Sequence, residues 1–116
     1  KVHRVWCVID CGTAINPDLI AQQMEGSVAF GLSAALYGRI QLNKGQVQQS
    51  NFHDYPILRM PDMPKVDTFI IPSDATPEGV GEPGTPPVAP AVANALFTLT
   101  GQRLRSLPFV VAAASA

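Results

Sequence analysis

Between Asp18 and Tyr37 the sequence carries two interleaved rows of residues at helical spacing. Ile20, Met24, Val28 and Leu32 recur every four positions and form an apolar stripe. Ser27, Gly31, Ala34 and Gly38 form a second row made of small residues. Asn16-Pro17 supplies a cap and a proline suited to a first helical turn. The pattern predicts one long helix over about 17–38. A row of small side chains lets another backbone come close, so this helix must be packed on more than one side. Gly26 and Gly31 each cost about 1 kcal/mol in helix propensity relative to alanine. They need a packing or ligand reason to be there.

The other predicted elements are shorter. Val2 to Asp10 has the β-branched and aromatic content of a strand, and Asp10-Cys11-Gly12 turns the chain. Arg39 to Leu42 and Gln46 to Gln49 flank Asn43-Lys44-Gly45 as a β-hairpin. Asn51 to Pro64, with three prolines and no clean period, is an ordered crossing loop, and Val66 to Ile71 is a strand closed by Pro72. Thr85 is placed to cap a second helix over about 86–100, with Pro86 in its first turn. Val88, Val92, Leu96 and Leu99 lie on one face of it, and Gly101 ends it. Pro90 requires either that this helix starts near Ala89 or that it kinks there. Leu104 to Phe109 is a closing segment, and Val110 to Ala116 reads as a frayed terminus. The class is α+β: a small mixed sheet of three to four short strands with one long and one shorter helix.

Composition narrows the function. A chain of 116 residues makes one domain. Its net charge of −1 offers no electrostatic support for nucleic acid or an anionic membrane surface. No apolar run reaches the roughly 18 residues of a membrane span. Cys7 and Cys11 lack the second pair that a zinc site needs, and two cysteines make no disulfide framework. His3 and His53 have no companion at ligand spacing. Only 15% of residues are charged and 11 are proline, where ordinary usage gives roughly 6. Together with a helix that needs cover, this reads as a single piece, 1–116, of a larger protein. The small-residue row is then the face that the missing chain should cover.

Two stretches carry candidate chemistry. Gly79-Val80-Gly81-Glu82-Pro83-Gly84 sets one carboxylate among three glycines before a helix. Glycine there permits positive φ and close approach of a ligand to the backbone. Glu82 either serves as a general base or complements the helix dipole. Gln22-Gln23-Met24-Glu25-Gly26-Ser27 places polar groups in an otherwise buried-looking helix. They face solvent, or they meet a polar ligand.

In this order the motifs resemble the C-terminal part of the molybdenum-binding large subunit of the molybdenum hydroxylases. That is the family of xanthine dehydrogenase and aldehyde oxidoreductase, and the nearest branch is the isoquinoline 1-oxidoreductase β subunit. Asp10-Cys11-Gly12-Thr13-Ala14-Ile15-Asn16-Pro17 resembles the family's D-x-G-x-x-x-N-P turn. Gln23-Met24-Glu25-Gly26 resembles its Q-x-E-G helix motif, with Gln22 where a glycine is common. Gly81-Glu82-Pro83 resembles its G-E-P loop, although Gly84 replaces a second proline. The resemblance spans about residues 2 to 109.

The resemblance implies an enzyme that hydroxylates an N-heteroaromatic or aldehyde carbon with water. Glu82 would be the general base acting on the metal's hydroxyl ligand. Gln23, Gly26, Ser27 and Gly81 would lie against the molybdopterin, in its cytosine dinucleotide form by the branch, and no residue of this chain would ligate molybdenum. Implied partners are the upstream part of the same subunit and a small subunit with two [2Fe-2S] clusters. The isolated chain is expected to hold no cofactor and to be inactive. The compartment is open, cytoplasmic or periplasmic in a bacterium. The competing expectation is a free-standing assembly domain without chemistry, favoured if Glu82 is exposed and far from Gln23.

Overall fold

The computed structural model describes residues 1–110, so most of the predicted frayed terminus lies outside the described residues. In chain order the elements are β1 (Arg4–Ile9), α1 (Pro17–Leu36), β2 (Leu42–Asn43), β3 (Gln46–Val47), a short 3-10 turn (Met60–Asp62), β4 (Lys65–Ile70) and α2 (Val88–Thr100).

The four strands form two separate pairs. β1 and β4 run parallel, in register from Arg4 opposite Lys65 to Ile9 opposite Ile70. A parallel pair needs a crossover, and α1 lies within it. The helix then covers one face of the pair. Ile9, Cys11, Ile20 and Met24 form one buried cluster, joined by Cys7, Ile70 and Val80. Val28, Leu32 and Val88 form the next, joined by Val5, Val66 and Val92. The apolar stripe read from the sequence is therefore the core, and Val28 and Leu32 are its fully buried side chains. Side chains alternate along a strand, so Trp6, Val8 and Phe69 face away from α1 and stay exposed.

β2 and β3 make the expected hairpin, shortened to two residues on each side. Lys44 and Gly45 both have positive φ, at 48° and 81°, the pattern of a type I′ turn. The crossing loop that follows is tied down: the Leu58 N–H donates to Ser33 Oγ on α1 at 3.0 Å. Asp54 accepts from the backbone N–H groups of Ser50 and Asn51.

The second helix begins at Val88, two residues later than the spacing predicts, and Thr85 does not cap it. Pro87 occupies the cap position, and Pro90 falls in the first turn, where N–H groups have no helical partner to lose. No kink is needed. Gly101 closes the helix in the left-handed region at φ 72°.

One expectation about cover is corrected. Ser27 and Gly31 are buried by this chain itself, under the segment that leads into α2. A Cβ on Gly31 would sit 2.7 Å from Val88 Cβ and 2.9 Å from the Thr85 carbonyl oxygen. Ala34 is exposed, and Gly38 lies beside the Tyr55 hydroxyl. The open apolar surfaces are elsewhere. One is the outer face of β1 and β4. The other is a groove of about 910 Å³ between α1, α2 and the start of β1, lined by Leu32, Leu36, Leu58, Val92 and Leu96. Among the described residues, no helix is long and apolar enough to cross a membrane.

Candidate functional site

The site hangs from the end of β1. Gly12 has φ +68°, and a Cβ there would lie 2.2 Å from the Thr76 carbonyl oxygen. Only glycine fits both the angle and the space. The Asp10 carboxylate accepts from the Gly12 N–H at 3.1 Å. Thr13 donates twice to the Ala75 carbonyl, from N–H at 2.9 Å and from Oγ1 at 3.0 Å. The Glu78 N–H donates to the Cys11 carbonyl at 2.9 Å. The chain after β4 is thus fastened to the turn after β1, and Val80 packs into the core cluster beneath.

Beyond Val80 the loop crosses α1. Ser27 Oγ donates to the Gly81 carbonyl at 3.3 Å. The Thr85 N–H donates to the Glu82 carbonyl at 2.9 Å, closing a turn around Pro83 and Gly84. Thr85 Oγ1 donates to the Ser27 carbonyl at 3.4 Å. Gly84 lies flat on the helix, since a Cβ there would be 2.8 Å from Ser27 Cβ.

Between this loop and α1 is an open recess of about 460 Å³. The residues assigned to base and cofactor by the resemblance line it: Gln23, Gly26 and Ser27 from α1, Gly81 and Glu82 from the loop. Glu82 is exposed, as the assembly reading expects, but it shares the recess with Gln23, which that reading does not. It lies six positions before α2, outside the first turn where a helix dipole acts. Ser27 is only 4% exposed and its hydroxyl is turned into the loop. A Cβ on Gly26 or Gly81 would meet no protein atom within 4 Å. These two glycines leave open space that a side chain would fill.

Phe30 and Thr85 also line the recess and were not singled out as site residues. Phe30 stands seven positions after Gln23, two helical turns on the same face, and that spacing was the available signal. Its ring is 73% exposed.

The remaining candidates stay outside. His3 is exposed, and His53 is exposed with Nε2 3.6 Å from an Asp54 oxygen. Burial pushes the Cys7 thiol above its ordinary pKa, which makes it a poor nucleophile. Both cysteines are free thiols. Among the described residues no group of His, Cys, Asp and Glu is arranged to hold a metal ion. Gly79, Gly81 and Gly84 have G-x-G-x-x-G spacing, yet no strand leads into them and α2 starts only at Val88, so the dinucleotide context is missing.

A family model, the molybdopterin cofactor-binding domain, matches residues 1–64, which is more than half of the sequence. The chain belongs to this family. Within it, the chain is 47% identical to the isoquinoline 1-oxidoreductase subunit beta of Brevundimonas diminuta over 108 residues, 93% of this chain and 14% of that protein. It is 40% identical to a membrane-bound aldehyde dehydrogenase [pyrroloquinoline-quinone] of Gluconacetobacter polyoxogenes, covering 91% of this chain and 14% of that one. Among solved structures it superposes on quinoline 2-oxidoreductase from Pseudomonas putida 86 with a TM-score of 0.76 and 26% identity, over 89% of this chain and 14% of that one. The chain thus spans about one-seventh of the family members it matches.

Proposed function

We propose that this chain is the closing, base-bearing part of the large subunit of a molybdopterin-dependent hydroxylase, acting with water on an N-heteroaromatic or aldehyde carbon. One observation carries the reading. Gln23 on α1 and Glu82 on the loop line a single recess, in a chain of the molybdopterin-binding family. Relatives named for a fused N-heterocycle and for an aldehyde support both substrate classes.

Two features of the recess support a cofactor there. Gly26 and Gly81 leave its walls open, and the Gln23 amide offers both a donor and an acceptor. When bound, the molybdopterin, as its cytosine dinucleotide, supplies a redox-active metal centre that takes up the electrons leaving the carbon. The net change turns R–H and water into R–OH, two protons and two electrons. A base must accept a proton from water, and Glu82 is the carboxylate that lines the recess. Gln23 holds the cofactor edge, and Phe30 shields the rim. The electrons pass to a separate subunit with two [2Fe-2S] clusters. An assembly domain without chemistry gives no reason for Gln23, Gly26, Gly81 and Glu82 to share one recess.

The test is Glu82→Gln in the full-length parent. Turnover should fall by a factor on the order of 10²–10⁴ with molybdenum content near wild type. Retained turnover would falsify the assignment, and loss of molybdenum would make Glu82 structural. The 116-residue chain alone should show no stoichiometric molybdenum by elemental analysis.

A further inference from the structure

The Glu82 carboxylate has no hydrogen-bond or ion-pair partner among the described residues. Its tie to the fold is therefore through the backbone on either side of it. Upstream that backbone is fastened at Glu78 and Val80, and immediately around Glu82 it meets α1 at two points, both on residue 27. Ser27 Oγ donates to the carbonyl of Gly81, the residue just before Glu82, at 3.3 Å. Thr85, three residues after Glu82, donates from Oγ1 to the carbonyl of Ser27 at 3.4 Å. The Thr85 N–H donating to the Glu82 carbonyl at 2.9 Å makes the span between the two points a closed turn. Gly84 lets that turn lie flat, since a Cβ would be 2.8 Å from Ser27 Cβ and 3.3 Å from the Met24 sulfur.

We infer that Ser27 and Thr85 form a two-point latch that positions Glu82 over the recess, making them positioning residues for the base. The inference rests on Glu82 being that base. It also assigns Ser27 differently from a cofactor contact: its hydroxyl serves the loop. A carboxylate without side-chain partners depends on its backbone for aim, and a displacement of about 1 Å at a reacting group is enough to lose up to about 10²-fold in rate.

The test uses the full-length parent carrying Ser27→Ala, Thr85→Val, the pair together, and Ser27→Cys. Each single alanine or valine variant should lower kcat about tenfold. KM should move less than about threefold, with molybdenum content and Tm close to wild type, because both hydroxyls are turned to the loop and helix backbone and Gln23, Gly26 and Gly81 keep the cofactor wall. The double variant should lose less than the product of the singles, since both bonds hold one turn. Ser27→Cys, a weaker donor of similar size, should fall between wild type and Ser27→Ala. Should Ser27→Ala destabilise the buried helix face, Thr85→Val carries the test, as that side chain is only half-buried. Loss of molybdenum in Ser27→Ala would make Ser27 a cofactor contact and overturn the latch. So would kcat within about twofold of wild type in both singles. Glu82→Gln separates the two levels. If it is inactive while the latch variants are normal, only the latch fails; if it is active, the base assignment fails as well.

Discussion

Single residues decide whether the turn after β1 can exist. Gly12 combines a φ of +68° with a Cβ position 2.2 Å from the Thr76 oxygen. Gly12→Ala should therefore destabilise the fold by at least about 2 kcal/mol, read from chemical denaturation, because the angle alone costs roughly 1–2 kcal/mol. Asp54 makes a second residue-scale device. The backbone N–H groups of Asn51 and Ser50 lower its pKa from 3.8 to about 2. A carboxylate depressed in the folded state adds stability above its unfolded pKa and loses it as pH falls through the folded one. The 50–54 turn should then hold above about pH 4 and open toward pH 2, with a Asp54 carboxyl resonance titrating near 2. The need for Gly12 to turn the chain was legible, since Asp-x-Gly after a strand is turn chemistry. The partner that crowds it, Thr76, was not, because nothing local links positions 12 and 76.

Elements show the same division. The start of α1 was readable from Asn16 and Pro17, and Asn16 Oδ1 indeed accepts from the Leu19 N–H at 3.0 Å. Its end was read two residues late, at Gly38 instead of Leu36. Thr85-Pro86 looked like a helix start and is not one: α2 begins at Val88 with Pro87 at the cap position, and the Thr85 hydroxyl donates to the Ser27 carbonyl instead of capping. β4 hides a further cost: Thr68 Oγ1 is buried without a hydrogen-bond partner. Replacing a buried orphan hydroxyl with a methyl of the same shape removes its desolvation penalty. Thr68→Val should raise stability by about 1 kcal/mol in urea melts, with the midpoint rising and the slope unchanged. Unchanged or lower stability would mean the hydroxyl is satisfied in solution.

At the scale of the molecule, the candidate site was far more legible than the topology. Glycines, a carboxylate and a Q-x-E-G helix are local patterns, and Gln23, Gly26, Gly81 and Glu82 from them meet at one recess. The parallel pairing of β1 with β4 is set by contacts between distant segments, and alternation in either strand does not reveal its partner. The cover of the small-residue row was misassigned for the same reason: the segment that buries Ser27 and Gly31 is over fifty positions away. Of the two apolar surfaces left open, the flatter is the outer face carrying Trp6, Val8 and Phe69. Strands paired in parallel are ordinarily covered on both faces. The 116-residue chain should accordingly self-associate as concentration rises, and Trp6→Thr with Val8→Thr and Phe69→Thr should shift it toward monomer in light scattering.

The latch has a consequence in time. Ser27 and Gly81 are 54 positions apart, and Thr85 is 58 from Ser27. At a synthesis rate of about 5–20 residues per second, the helix leaves the ribosome roughly 3–11 s before the loop that completes its recess. During that interval β1 can pack on the apolar stripe of α1, but the side carrying Ser27 and Gly31 has nothing to close over it. The wall that carries Gln23 is made early and the wall that carries Glu82 late, so a cofactor loaded between the two would meet its binding wall before its base.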